Sequence, residues 1–259
     1  MTTWVLLRGL SRERAHWGRF PALLRSRLDG ADVVALDLPG NGTLNELASP
    51  TRIEAMTHWY RGEVLRLGLA PPYRLLAMSM GAMIAIDWAH AAPHEVGGCV
   101  LINTSLRPFD PWHRRLRPVN CPTLLRLALP GGSDADHERT ILRLTSRNPV
   151  AAADALDAWV ALRKCRPVSA RNALRQLLAA ARFRSPGAAP EAPLLVLASA
   201  RDALVDVRCS LGLAERWHAD IAIHGEAGHD LPLDDGPWVA EQVVLWLATL
   251  ATRVSATGR

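Results

Sequence analysis

An apolar run, Tyr73-Arg-Leu-Leu-Ala-Met78, ends on Ser79 and passes at once into a helical pattern, Met80-Gly-Ala-Met-Ile-Ala-Ile-Asp-Trp-Ala89. No other feature restricts the fold as much. A serine between a strand and a helix needs a turn so tight that the residues two before and two after it must be small. Ala77 and Gly81 occupy those places, so Ala77-Met-Ser79-Met-Gly81 is the G-x-S-x-G pattern with alanine in the first position. A serine held in such a turn projects its hydroxyl from the top of a sheet. The bland reading, a serine capping the helix start, concerns the same position.

The rest of the chain alternates in the same way. Short continuous apolar runs fall at Thr3–Leu7, Asp32–Asp37, Tyr73–Met78, Gly98–Asn103, Leu194–Ser199 and Asp220–His224. Continuous rather than alternating apolar character suits parallel strands covered on both faces. Helical patterns lie between them at His16–Leu28, Arg52–Leu67, Met80–Ala92, Cys209–Trp217 and Pro237–Thr252. The expectation is an α/β fold: a doubly wound, mostly parallel sheet of about six strands. The rhythm breaks in the middle, where helical patterns recur at Val119–Leu129, Asp134–Thr145, Ala151–Leu162 and Ser169–Ala181 without a strand. Residues 1–106 and 186–259 therefore read as the core, and 107–185 as an inserted helical lid.

Composition excludes several classes. The 259 residues are 49% apolar and 21% charged, ordinary for a globular domain. Net charge is +5 with no dense basic block, which argues against nucleic acid. No apolar stretch is long enough for a membrane span, and the N-terminal run is too short for a signal peptide, so a cytoplasmic protein is expected. The four cysteines are scattered and off metal spacing, and they read as free buried thiols. The histidines likewise show no metal-ligand spacing, and no metal or cofactor is called for. Charge is unevenly divided: between Arg107 and Arg184 there are 15 Lys/Arg against 6 Asp/Glu, or +9, which leaves −4 for the remainder. A basic lid can steer an anionic substrate or an acidic partner, and a solvated arginine surface is the plainer reading.

A serine hydroxyl is a weak nucleophile until a base takes its proton. Downstream, Ala227-Gly-His229-Asp230 offers the base. Leu194-Leu-Val-Leu-Ala-Ser-Ala-Arg-Asp202 places an acid just after a strand. Asp206 competes with Asp202 but better suits a helix cap. Ester or thioester cleavage also needs two backbone N–H groups aimed at the developing oxyanion. Met80 and Leu10 are the candidates, with Gly9 and Gly81 giving the backbone room. Arg8 either holds a substrate carboxylate or ties its loop to an acid such as Asp37, and the structural role is the expected one. Met78, Met80 and Met83 read as core, although Met80 could line an acyl pocket. Trp112 and Trp159 in the lid read as packing or as apolar substrate contacts.

The order Ser79, Asp202, His229 resembles that of the α/β-hydrolase superfamily. Together with Arg8-Gly9, Leu36-Asp-Leu-Pro-Gly40-Asn-Gly42, Asp202-Ala-Leu-Val205 and Gly228-His229, it resembles the small, lidded serine carboxylesterases that include pimeloyl-carrier-protein methyl ester esterases. The resemblance implies a cofactor-free ester hydrolase whose lid sets substrate choice. Three departures stand out: Arg8-Gly9 where members commonly carry His-Gly, Ala77 where Gly is common, and fewer strands ahead of that loop. Two further expectations compete with a plain esterase acting on small-molecule esters. One is an ester or thioester hydrolase that docks an acidic acyl carrier protein on the lid. The other is a ligand-binding homologue without turnover.

Overall fold

The computed structural model describes residues 2–128 and 131–257. Six strands form one sheet in the order β2-β1-β3-β4-β5-β6, all parallel. They are β1 (Thr3–Leu7), β2 (Asp32–Ala35), β3 (Tyr73–Met78), β4 (Val96–Ile102), β5 (Leu194–Ser199) and β6 (Asp220–His224). The apolar runs are continuous because successive side chains enter two different cores. Val5, Leu7, Leu75, Ala77, Cys99, Leu101 and Val196 face one layer of helices. Trp4, Leu6, Leu76, Met78, Val100, Ile102, Leu195 and Leu197 face the other.

Helix α1 (Phe20–Arg27) lies on the second face, as does α11 (Gly236–Thr257). Helices α2 (Ile53–Arg66), α3 (Met80–Ala91) and α9 (Val207–Trp217) cover the first. The expected helix at His16–Leu28 is divided. A 3-10 turn spans Arg14–Trp17, Gly18 turns the chain at φ +54°, and α1 then starts with a proline in its first turn. Strand β2 stops at Ala35, two residues short of expectation. Beyond it the Asp37 carboxylate organises a loop, accepting from the N–H groups of Arg14 and Thr43 and from the Thr43 hydroxyl. A turn of helix at Leu231–Asp234 (α10) was not expected from the sequence.

Between β4 and β5 the described residues hold helices and no strand. These are α4 (Trp112–Arg115), α5 (Cys121–Ala128), α6 (Asp134–Thr145), α7 (Pro149–Cys165) and α8 (Ala170–Arg182). The expected Val119–Leu129 helix is split between a short 3-10 turn and α5, and Leu129 lies outside the described residues. Two cysteines depart from expectation: Cys99 and Cys209 are buried, whereas Cys121 and Cys165 are exposed, because α5 and α7 present those positions to solvent. Among the described residues no helix is long and apolar enough to cross a membrane.

Helix α8 is fastened to the core through polar groups. Gln176 is fully buried; its carbonyl accepts from the Ser11 N–H (2.7 Å), and its amide donates to Asn41 Oδ1 (2.7 Å) and Ser49 Oγ (2.9 Å). Asn172, one turn earlier, accepts from the Ser49 N–H and donates to the carbonyls of Asn45 and Leu47. Buried polar groups are costly when left without partners, so this contact is specific to one docking geometry. Gln176→Ala strands three such groups. It is expected to lower stability to chemical denaturation by about 1–3 kcal/mol for each group that water does not reach; a loss below about 0.5 kcal/mol would show that α8 is held by its apolar contacts alone.

Candidate active site

The chain leaves β1 to one side to form β2 and returns to the other side as β3, so the strand order reverses between β1 and β3. In open α/β sheets that crevice, at the carboxyl ends of the strands, is where ligands bind. Arg8-Gly9-Leu10 leaves β1 there, and Ser79 follows β3. Asn103 follows β4, Asp202 follows β5 and His229 lies beyond β6, so the same sheet edge collects all of them.

Ser79 has φ +55° and ψ −118°, a conformation uncommon for a residue with a side chain. Its N–H donates to the Ile102 carbonyl at 2.9 Å, and its own carbonyl accepts from the Thr104 hydroxyl at 3.0 Å. The turn is thus held on both sides by the segment after β4. Ser79 occupies the cap position of α3, yet its hydroxyl makes no capping hydrogen bond. The side chain is half-buried and remains reachable, while Met78 and Met80 on either side are buried in opposite cores.

The small residues have geometric causes. A Cβ on Gly81 would sit 2.4 Å from the Leu7 carbonyl oxygen and 2.7 Å from that of Arg8, so α3 starts against the end of β1. A Cβ on Gly9 would lie 3.1 Å from the Ser79 Cβ and 3.7 Å from its Oγ. The Arg8-Gly9-Leu10 loop therefore passes directly beside the serine. Among the described residues neither the Leu10 nor the Met80 N–H donates to a protein acceptor, so both remain available to a ligand.

Asp202 and His229 are both buried, and His229 Nδ1 lies 2.7 Å from Asp202 Oδ2. The other carboxylate oxygen, Oδ1, accepts from the N–H groups of Leu204 and Val205 at 2.7 and 3.0 Å, which fixes the carboxylate plane. Burial opposes charging of the His229 ring. The attraction of Asp202, its hydrogen bond and the nearby Asp230 outweigh that opposition, and the pKa is raised above the ordinary histidine value. Asp206 instead caps α9, accepting from the Arg208 N–H, and pairs with the Arg208 guanidinium, which lowers its pKa.

Arg8 pairs with Asp230, the neighbour of His229, and not with Asp37. Two hydrogen bonds of 3.1 and 2.6 Å join them, both side chains are buried, and the guanidinium lies over the Trp17 ring at 4.7 Å. The Asp37 carboxylate is occupied by its own loop. This pair links the loop beside Ser79 to the loop carrying His229.

Sequence reasoning missed three supports. Asn103 reads as the last residue of β4, yet it sits just past it at φ +47°. Its amide donates to the His229 carbonyl (2.8 Å) and Ser199 Oγ (2.9 Å), while its carbonyl accepts from the Ser199 N–H (2.8 Å). Asp234 accepts from the N–H groups of Gly228 (2.7 Å) and Arg147 (2.8 Å) and from the Ser146 hydroxyl. The histidine loop is thereby tied to the α6–α7 junction. Thr104 is the third. Asparagine's tolerance of positive φ directly after a strand was the one available signal.

A family model described as serine aminopeptidase, S33 (Hydrolase_4), matches residues 15–235. The chain belongs to this family of the α/β-hydrolase superfamily. No curated protein matches it in sequence. Among solved structures it resembles a candidate lipase (lip1) from Acinetobacter baumannii AYE, with TM-score 0.77, 22% identity, and coverage of 97% of this chain and 85% of that one. It also resembles BpoC, a candidate non-heme bromoperoxidase from Mycobacterium tuberculosis H37Rv (0.75, 21%, 96% and 92%). A thermophilic esterase from Thermogutta terrifontis is similar as well (0.74, 20%, 96% and 90%). At these identities the structural likenesses establish the fold.

Arg8→Met leaves Asp230 as a buried charge without its partner. Stability is expected to fall by about 3–5 kcal/mol, read by urea unfolding. A change under about 1 kcal/mol would mean that solvent reaches the pair.

Proposed function

We propose that the protein is a serine hydrolase that cleaves carboxylic esters through an acyl-enzyme. Ser79 Oγ bonds to the ester carbonyl carbon as its proton passes to His229 Nε2. The oxyanion accepts from the N–H groups of Leu10 and Met80. Collapse of the tetrahedral intermediate breaks the bond to the alcohol oxygen, which takes the proton back from His229. Water repeats the sequence on the acyl-enzyme and frees the acid. Asp202 holds the ring tautomer and stabilises the imidazolium. In this reading residues 107–185 form the lid over that edge.

The observation that carries the proposal is the buried Asp202–His229 hydrogen bond of 2.7 Å at the sheet edge that also holds an uncapped serine at positive φ. A helix-capping role would have used the hydroxyl, and a structural histidine would not need an acid held by two backbone donors. Family membership and the esterase and lipase neighbours support hydrolysis in general.

Ser79→Ala is expected to abolish turnover of 4-nitrophenyl esters, by roughly 10⁴-fold or more, and to abolish fluorophosphonate labelling, while leaving the unfolding curve unchanged. Labelling that persists in the variant removes Ser79 as nucleophile. An aminoacyl arylamide assayed alongside separates ester from amide cleavage, the latter being named in the family's description.

The raised pKa of His229 fixes the sign of the pH dependence. The base works only when deprotonated, so kcat/KM should rise with pH through an apparent pKa above about 6.5. The stability contribution runs oppositely: it is complete below the unfolded-state pKa and fades as pH rises through the folded value. Asp202→Asn should lower the apparent pKa and reduce kcat by roughly 10³–10⁴. A profile that is flat from about pH 5 to pH 9 is incompatible with His229 as base.

The charge division favours a second reading, in which the +9 segment docks an acidic acyl carrier protein. Carrier-bound esters would then be cleaved faster than free ones, and the advantage would shrink with salt. Equal rates on both exclude it.

A further inference from the structure

A cavity of about 280 Å³ lies between the loop that follows Leu10 and helices α6, α7 and α8. A single water needs only about 10–15 Å³ by the same kind of measure, so this space suits a small organic molecule. Ser11, which lines it, is the residue next to Leu10 in the chain. Arg12, Glu13 and His16 line it from the core side, and His137, Arg163 and Arg166 from the helical side. Leu127, Ile141, Leu162 and Val168 complete an apolar half.

The charged groups are held in place by one another. Arg12 Nη1 lies 2.8 Å from Glu138 Oε2, and its guanidinium rests 4.4 Å over the Trp159 ring. Arg166 Nη2 lies 2.8 Å from Glu13 Oε1. Among the described residues these pairings leave four buried polar atoms without a partner: Arg12 Nη2, Arg166 Nε, Glu13 Oε2 and Ser11 Oγ. All four belong to residues that line this cavity. Glu13 itself is only 4% exposed. Orphaned buried polar atoms are uncommon in folded proteins, and a group of them around one cavity marks a ligand site.

The charge balance identifies the ligand. Three arginines (Arg12, Arg163, Arg166) face two carboxylates (Glu13, Glu138). Burial and neighbouring arginines push the pKa of His16 well down and that of His137 to about 4, so neither ring adds charge near neutrality. The lining therefore carries one net positive charge, which a single carboxylate neutralises. Two orphaned guanidinium N–H groups supply the charge-assisted donors that such a group accepts. The orphaned Glu13 oxygen meets a hydrogen-bond donor on the same ligand.

We propose that this cavity is an anion subsite that receives a carboxylate carried by the ester substrate, gripped by Arg12 and Arg166 beside the oxyanion loop. The protein would then select esters of acids or alcohols that bear a second, ionised carboxyl group. This assignment rests on Ser79 being the nucleophile of the same site.

The test uses 4-nitrophenyl esters of matched chain length that end in a carboxylate or in a methyl group, across a series of lengths. The wild type is expected to show a higher kcat/KM for the carboxylate member at one chain length. Arg166→Met should cut that preference about tenfold or more and leave turnover of the methyl ester within a few-fold. Glu13→Gln should move the preference in the opposite direction, because it removes a negative charge facing the ligand carboxylate. Damage to the fold would depress both esters together and could not produce opposite signs. Equal kcat/KM on both esters at every length, or variants that shift both esters in parallel, overturn the subsite. No turnover of either ester, with Ser79 unlabelled by fluorophosphonate, overturns the hydrolase reading instead.

Discussion

Arg8 and Asp230 stand 222 positions apart in the chain, and their buried, two-pronged ion pair closes the structure around its candidate site. Arg8 ends β1 and begins the loop whose Gly9 passes beside Ser79. Asp230 follows His229 directly. A desolvated charge has no tolerable alternative to its partner, so the pair permits one relative position of the two loops. Asn103 and Asp234 extend the same constraint. Asn103 bonds the histidine loop to the ends of β4 and β5, and Asp234 bonds it to the α6–α7 junction. Positioning of the imidazole is therefore shared by the sheet, the first loop and the inserted helices.

The serine is held differently. Its turn is fixed by backbone groups on the neighbouring strand and by the contact of Gly81 with the end of β1. A positive φ at a residue with a side chain costs on the order of 1–3 kcal/mol, and the packed ends of β3 and β4 offset it. The result is a hydroxyl that takes no part in capping the helix behind it.

The inserted helices are joined to the core by polar contacts as much as by apolar ones. Gln176 and Asn172 reach down from α8 to the Asn41–Ser49 loop. Arg166 and Glu138 make ion pairs with Glu13 and Arg12. Part of the positive charge that the sequence assigns to this segment is thus spent on docking it, and part faces the cavity between the layers. Attachment through directional groups fixes the geometry of the crevice more tightly than an oily contact would, because each misalignment leaves a buried group unpaired.

The amino-acid sequence by itself determined the layered fold and the local chemistry. The strands were legible because each feeds two cores in alternation, as Leu75 and Leu76 do, which makes an uninterrupted apolar run. Ser79 was legible because a tight strand-to-helix turn demands Ala77 and Gly81 nearby, and the capping role of Asp206 because it precedes a helix. These are short-range demands, written into neighbouring residues. Tertiary structure alone decided what Arg8, Asn103, Gln176 and Asp234 do, and that Cys121 and Cys165 are exposed. A polar side chain can satisfy itself with any complementary group within reach, so its type limits the kind of partner and not its identity. Only the folded chain, by excluding water from some pairs and leaving four polar atoms around one cavity unpaired, selects among them.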